Sequence, residues 1–145
     1  MCVSLCTEIP FQHALSDDLE NQGARRLIFD DSNPDLKKRT VGVLTKADKM
    51  VNGTESNWLR TFNNQTHKLD SGWYAIKLPA GGNVPWAEAR EQERRFFESE
   101  EPWKSEVTRA DRARLGSEQL TQHISRLLSN LVAARLSLSL FVIID

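Results

Sequence analysis

The sequence predicts an α/β fold, a small sheet of two or three strands covered by helices and followed by a long C-terminal helix. Three observations predict it. Arg39 to Leu44 is a short β-branched apolar run, which is how a strand buried on both faces reads. Trp73 to Leu78 is a second such run, closed by Pro79-Ala80-Gly81-Gly82. The second half changes to helical spacing, with Leu120, Ile124, Leu127, Leu128, Leu131 and Leu136 in one stripe. At 145 residues, 39% hydrophobic and 27% charged, the chain has one domain's length and a globular composition.

Each element follows from local chemistry. Cys2 to Cys6 is short and apolar and reads as a strand, with a turn around Pro10. Ser16, Asp17 or Asp18 can cap a helix carrying Leu19, Ala24, Leu27 and Ile28. That helix should end by Asp31, because Ser32-Asn33-Pro34-Asp35 is a turn cluster. After the strand at residues 39–44, Val51-Asn52-Gly53-Thr54 is a turn, and a short helix carries Trp58, Leu59 and Phe62. Asn63 to Gly72 reads as loop before the second strand. Trp86 to about Ser99 is a charged helix whose apolar side is Ala87, Ala89, Phe96 and Phe97, and Pro102-Trp103 breaks it. Gly116 or Ser117 opens the long helix, whose stripe is read as core packing. Leu136 to Asp145 is uncharged before its last residue and of high β-propensity, an atypical aggregation-prone tail.

Several function classes find no support. Basic and acidic residues number 19 and 20, so nothing favours nucleic acid or an anionic membrane surface. Cys2 and Cys6 form one Cys-x3-Cys pair with no second pair, which argues against zinc and for reduced thiols. No segment reads as membrane-spanning, the amino end lacks signal-peptide features, and the cytoplasm is the expected compartment. His13, His67 and His123 lie in different elements without a partnering nucleophile, so no catalytic residue is assigned. The charge run from Glu88 to Glu101 reads as a solvated helix face. Trp58, Trp73, Trp86 and Trp103 read as core or interface anchors.

The first strand ends in Thr45-Lys46-Ala47-Asp48, at the carboxyl end where open parallel sheets present ligand sites. A Thr-Lys-x-Asp turn has a defined chemistry with guanine. The lysine stem lies along one face of the base, and the carboxylate accepts from N1–H and the exocyclic amine. Adenine offers neither donor there. Four residues alone also fit an ordinary solvated loop.

The flanking sequence adds a resemblance. Arg39-Thr40-Val41-Gly42-Val43-Leu44-Thr45-Lys46-Ala47-Asp48 closely resembles the strand and base-recognition segment of the dynamin family of large GTPases. In the same order, Asp18-Leu19-Glu20-Asn21-Gln22 resembles the preceding helix start, and Ser71-Gly72-Trp73-Tyr74-Ala75-Ile76-Lys77 resembles the next strand. Glu93-Arg94-Arg95-Phe96-Phe97 with Pro102-Trp103, and Arg114-Leu115-Gly116-Ser117-Glu118-Gln119-Leu120, are similar to later segments. Leu78-Pro79 after the second strand suggests the fungal branch. The resemblance covers about Asp18 to Leu136.

It implies a truncated P-loop GTPase-type sheet, with residues 1–112 a partial GTPase domain, 113–136 the start of a helical neck and 137–145 the tail. Thr45, Lys46 and Asp48 are the implied guanine-binding residues, and Leu78 and Pro79 stand where the family closes the base pocket. Many relatives place an Asn-Arg pair there and an acidic residue at the position of Val51; no polar side-chain role transfers to Leu78, Pro79 or Val51. GTP is the implied ligand, with Mg²⁺ in the complete domain. The implied partners are guanine nucleotide and either a second copy or a dynamin-family protein, with membrane contact only through other regions.

The phosphate-binding parts have no counterpart. The seven glycines never fall in Gly-x-x-x-x-Gly-Lys-Ser/Thr spacing, and no Asp-x-Pro-Gly follows a strand. In the family these lie amino-terminal to the recognition strand. The expectation is a fragment that binds guanine weakly and is inactive alone; the rival is a non-catalytic helical module binding a dynamin or other partner.

Overall fold

The computed structural model describes residues 9–14, 28–29, 34–50, 53–79 and 81–142, with side chains undescribed at 9–14, 34–35 and 134–142. The three strands are β1 (Ile9–Ala14), β2 (Thr40–Thr45) and β3 (Trp73–Ala75), in the order β1-β2-β3, and both pairings are parallel. The strand expected at Cys2–Cys6 lies outside the described residues. The turn expected at Pro10 is instead part of β1. An edge strand tolerates this, because the missing N–H need not serve a neighbour.

β2 is central and every one of its residues is buried. A strand flanked on both edges and covered on both faces needs this apolar run. Gly42 serves that packing. A Cβ there would stand 2.9 Å from Trp73 Cε2 and closer still to Cδ2 and Cε3. The bare backbone lets the fully buried Trp73 ring lie against β2, with its Nε1 donating to the His67 carbonyl at 2.9 Å.

A short helix α1 (Pro34–Lys38) precedes β2, and Thr40 Oγ1 donates back to the Leu36 carbonyl at 2.7 Å. Pro34 thus opens a helix where a turn is expected. Its missing N–H is one that a first helical turn leaves unpaired anyway. Of the earlier expected helix, Ile28 and Phe29 are described and helical, and Ile28 joins the core.

Helix α2 (Glu55–Phe62) buries Trp58, Leu59 and Phe62, as their spacing predicts. The loop after it is held by Asn64, in the left-handed region at φ 57. Its amide donates to the Leu69 carbonyl and its oxygen accepts from Leu69 N–H, both at 2.9 Å. One side chain so imitates a strand partner. β3 is shorter than the predicted Trp73–Leu78, although Ile76 N–H still donates to the Leu44 carbonyl at 2.9 Å.

The second half packs onto the sheet through aromatic rings. Helix α3 (Trp86–Ser99) contributes Phe97, and the short α4 (Trp103–Glu106) contributes Trp103. Trp103 meets Phe62 and Phe97 edge-on, at centroid distances of 5.6 and 5.5 Å. Such T-shaped pairs set ring orientation as well as burying area. Trp86 departs from the anchor expectation: it is 63% exposed and carries only the Arg90 guanidinium, 5.1 Å from its ring. On the outer face of α3, Arg94 and then Arg95 hydrogen-bond Glu91 and hold its carboxyl down to about 2. That surface ladder adds little stability.

The last helix, α5 (Ser117–Val142), runs unbroken through the tail segment as far as Val142. The described part of its stripe is not fully buried, contrary to the core expectation: Leu120, Leu127 and Leu131 are half-buried, and Ile124 and Leu128 are exposed. Ile124, Leu128 and Val132 are 40%, 59% and 51% exposed, because no described element covers that face. No helix among the described residues is long and apolar enough to cross a membrane.

Candidate functional site

Parallel pairing puts the carboxyl ends of the strands at one edge of the sheet. Ala14 stands beside Thr45 in register, and Leu44 beside Ala75. The segments leaving β2 and β3 therefore emerge together, where open α/β sheets bind ligands. Ala47 N–H donates to the Ile76 carbonyl at 3.2 Å and fastens the two exits side by side.

Within the first exit, burial alternates. Thr45 is buried at the strand end, Lys46 is exposed, Ala47 is buried and Asp48 is exposed. Lys46 is in the left-handed region at φ 55, ψ 46, and Ala47–Lys49 then forms a single 3₁₀ turn closed by Lys49 N–H to the Lys46 carbonyl at 2.8 Å. A side chain there is strained by roughly 1 kcal/mol relative to glycine. The reversal is what turns the Lys46 and Asp48 side chains outward while Ala47 packs into the core. The side chains of Lys46 and Asp48 make no hydrogen bond or ion pair with the described residues, whereas Thr45 does have a partner. Two opposite charges with free heads thus flank one buried alanine.

The second exit carries Lys77, Leu78 and Pro79. Leu78 is 49% exposed and Pro79 is exposed. Lys77 Nζ lies over the Phe96 ring at 5.7 Å, a cation–π contact that draws this side chain toward α3. The structure brings the predicted Thr45, Lys46 and Asp48 into one turn and sets the predicted Leu78 and Pro79 on the neighbouring exit. A groove of about 460 Å³ opens elsewhere, between α3 and the start of α5. Arg90, Arg94, Phe97, Arg112, Leu115 and Gln119 help to line it, and Thr45, Lys46 and Asp48 do not.

One polar residue behaves against expectation. Glu93 sits in the charge run read as solvated, yet it is 4% exposed. Oε1 accepts from Lys77 N–H at 2.8 Å, and Oε2 accepts from Ser117 N–H at 2.9 Å and Ser117 Oγ–H at 2.6 Å. A buried carboxylate is stable only with its oxygens so occupied. The available signal was its position four residues before Phe97, on the apolar side of the helix. His67 and His123 stay outside the site. His123 packs on the Tyr74 ring at 5.1 Å, and His67 meets Phe29 edge-on at 5.2 Å.

The interferon-induced GTP-binding protein MxC of Danio rerio is 33% identical over 98 residues, 61% of this chain. The interferon-induced GTP-binding protein Mx of Ctenopharyngodon idella is 31% identical over 103 residues, 65% of this chain. A further relative, MxE of Danio rerio, is 37% identical over 65 residues, 42% of this chain. The chain spans 16% of the length of the first two and 10% of the third. No protein-family model matches it.

Proposed function

We propose that this chain carries the guanine-recognition element of a dynamin-type GTP-binding domain. The observation that carries the reading is the turn after β2, where exposed Lys46 and Asp48 flank buried Ala47 at the carboxyl end of a central parallel strand. Asp48 accepts from guanine N1–H and the exocyclic amine. The Lys46 stem lies along the base, and Thr45 closes the strand behind it. Leu78 and Pro79 supply apolar contact on the other side, since neither side chain has a polar atom. Residues 1–112 then correspond to the carboxyl-terminal part of a GTPase domain, 113–136 to the start of a helical neck, and 137–145 to a divergent end. The fungal-branch assignment rests on Leu78-Pro79 alone, and the relatives above are fish proteins.

Mg²⁺ belongs to the complete domain; among the described residues no group of three His, Cys, Asp or Glu side chains comes together to hold a metal ion. Phosphoryl transfer depends on positioned groups at the β- and γ-phosphates, and the sequence offers no residues in that pattern. The chain alone should bind guanine nucleotide weakly, on the order of millimolar, as one stacked and hydrogen-bonded base allows. Phosphate release from the purified chain with GTP and Mg²⁺ should not exceed that of an Asp48→Ala variant. GTP turnover lost in that variant would contradict the assignment.

The direct test is Asp48→Asn. An amide reverses donor and acceptor toward guanine but matches xanthine, so guanine nucleotide should weaken on the order of tenfold or more while xanthosine nucleotide gains. Equal guanine affinity in both proteins would remove Asp48 from the site. A second reading, a non-catalytic helical module, is favoured by the exposed Ile124, Leu128 and Val132. It predicts partner binding, to a second copy or a dynamin-family protein in the cytoplasm, that Asp48→Asn leaves unchanged. Nothing in either reading calls for nucleic acid.

A further inference from the structure

Glu93 joins three elements that are distant in sequence. It lies within α3, accepts from the residue two beyond β3, and accepts from the first residue of α5. We propose that Glu93 is a positioning residue that ties the segment Lys77–Pro79 to the amino end of α5, so that the placement of the base-pocket wall and the attitude of the helix are set together. The proposal rests on the guanine-site reading for its functional meaning, because Leu78 and Pro79 matter to a ligand only if that wall faces one.

The chemistry requires a carboxylate. Its two oxygens receive donors from opposite sides, Lys77 N–H on one and the Ser117 N–H and hydroxyl on the other. A carboxamide has one acceptor oxygen and one NH₂, so it can satisfy one side and must present donors to the other. Aspartate keeps the charge but is shorter by a methylene and cannot span both. The Ser117 donors belong to the amino end of a helix, where a negative charge is favoured by the unpaired N–H groups. The neighbouring backbone is built to fix this geometry. Gly116 is in the left-handed region at φ 96 and its N–H donates to the Ala75 carbonyl at 2.8 Å. Leu115 forms a parallel bridge with Ala75. The chain thus enters α5 directly from the edge of β3, and Glu93 closes the corner. Any rotation of α5 about Gly116 must break the Ser117 contacts and release the carboxylate that holds Lys77.

The experiment is amide hydrogen exchange on the full chain, comparing the native protein with Glu93→Gln and Ser117→Ala. Glu93→Gln should lower protection of the Lys77 and Ser117 amides on the order of tenfold, as expected for one buried hydrogen bond lost at each, and leave Val43 in β2 unchanged. Ser117→Ala removes only the hydroxyl contact, on the far side of the carboxylate, and should still lower protection at Lys77. A titration with GDP, and with ADP as control, should show the same two variants losing guanine-specific binding while their β2 amides stay protected. Equal loss of protection at Val43 and Lys77 in Glu93→Gln would reduce Glu93 to a general stability residue and overturn the proposal. So would Ser117→Ala leaving Lys77 unchanged. If the native chain binds GDP no better than ADP, the guanine-site reading fails, and the exchange data still decide whether the two ends are tied.

Discussion

Gly42 shows how much one absent methyl group decides. The Trp73 ring occupies the space a Cβ would take, and both residues are register partners in adjacent strands. Gly42→Ala should destabilise the fold by about 1–3 kcal/mol or more, because a fully buried ring between strands has nowhere to yield. Denaturant unfolding of the two proteins side by side measures it, and an unchanged midpoint would mean that Trp73 packs elsewhere. Residue-level legibility followed the same divide between local and distant causes. The Thr45–Asp48 turn was readable because the strand end, the reversal and both charges lie within a few residues. Glu93 was not, because its partners are 16 and 24 positions away and a carboxylate among arginines reads as surface.

Among the elements, α5 is fixed to the sheet by a contact that depends on protonation. His123 packs at a tilt on buried Tyr74, and its Nε2 is buried without a hydrogen-bond partner among the described residues. Burial first, and then the Arg126 charge, hold the His123 pKa below its ordinary 6.5. The sign follows directly. The folded state favours the neutral ring, so this contribution is intact above about pH 6.5 and is lost as pH falls below it, where the unfolded chain takes up the proton more readily. The melting temperature should therefore drop between pH 7.5 and 5.5 by more in the native chain than in His123→Phe, which keeps a ring on Tyr74. Parallel curves would exclude His123 as the cause. Elements with strong internal signals were legible: α2 and α3 follow from their apolar spacing and their Gly and Pro boundaries. β1 and α1 were misjudged at Pro10 and Pro34, since proline at an edge strand or a first turn is permitted by neighbours that the sequence does not reveal. The α5 stripe was misjudged because periodicity reports an apolar face, not whether anything covers it.

At the scale of the molecule, the described residues leave two surfaces open to association, a strand edge and an apolar stripe. No described strand pairs with the outer edge of β1, and α5 presents Ile124, Leu128 and Val132 to solvent. Open strand edges and apolar stripes both favour association. Sedimentation of the purified chain should show mass rising with concentration, and Leu128→Lys should reduce it without lowering helix content. A monomer at all concentrations would mean these surfaces are shielded by residues outside those described. The α/β class and the long helix were legible because they depend on pattern. The sheet's coverage was not, because it depends on what packs where.

An all-parallel sheet has no hairpin, and this bears on how the chain is made. Ile9 pairs with Thr40, and Gly42 with Trp73, so each pairing closes a loop of about thirty residues that local turns cannot pre-form. Translation proceeds at about 5–20 residues per second, so β2 leaves the ribosome roughly 2–6 s before its β3 neighbour follows. For that interval the central strand, wholly buried in the finished fold, lacks Trp73 on one face and a partner along one edge. The ribosome-bound nascent chain, rather than the finished fold, is the form in which this protein is most exposed to chaperones and to its own copies.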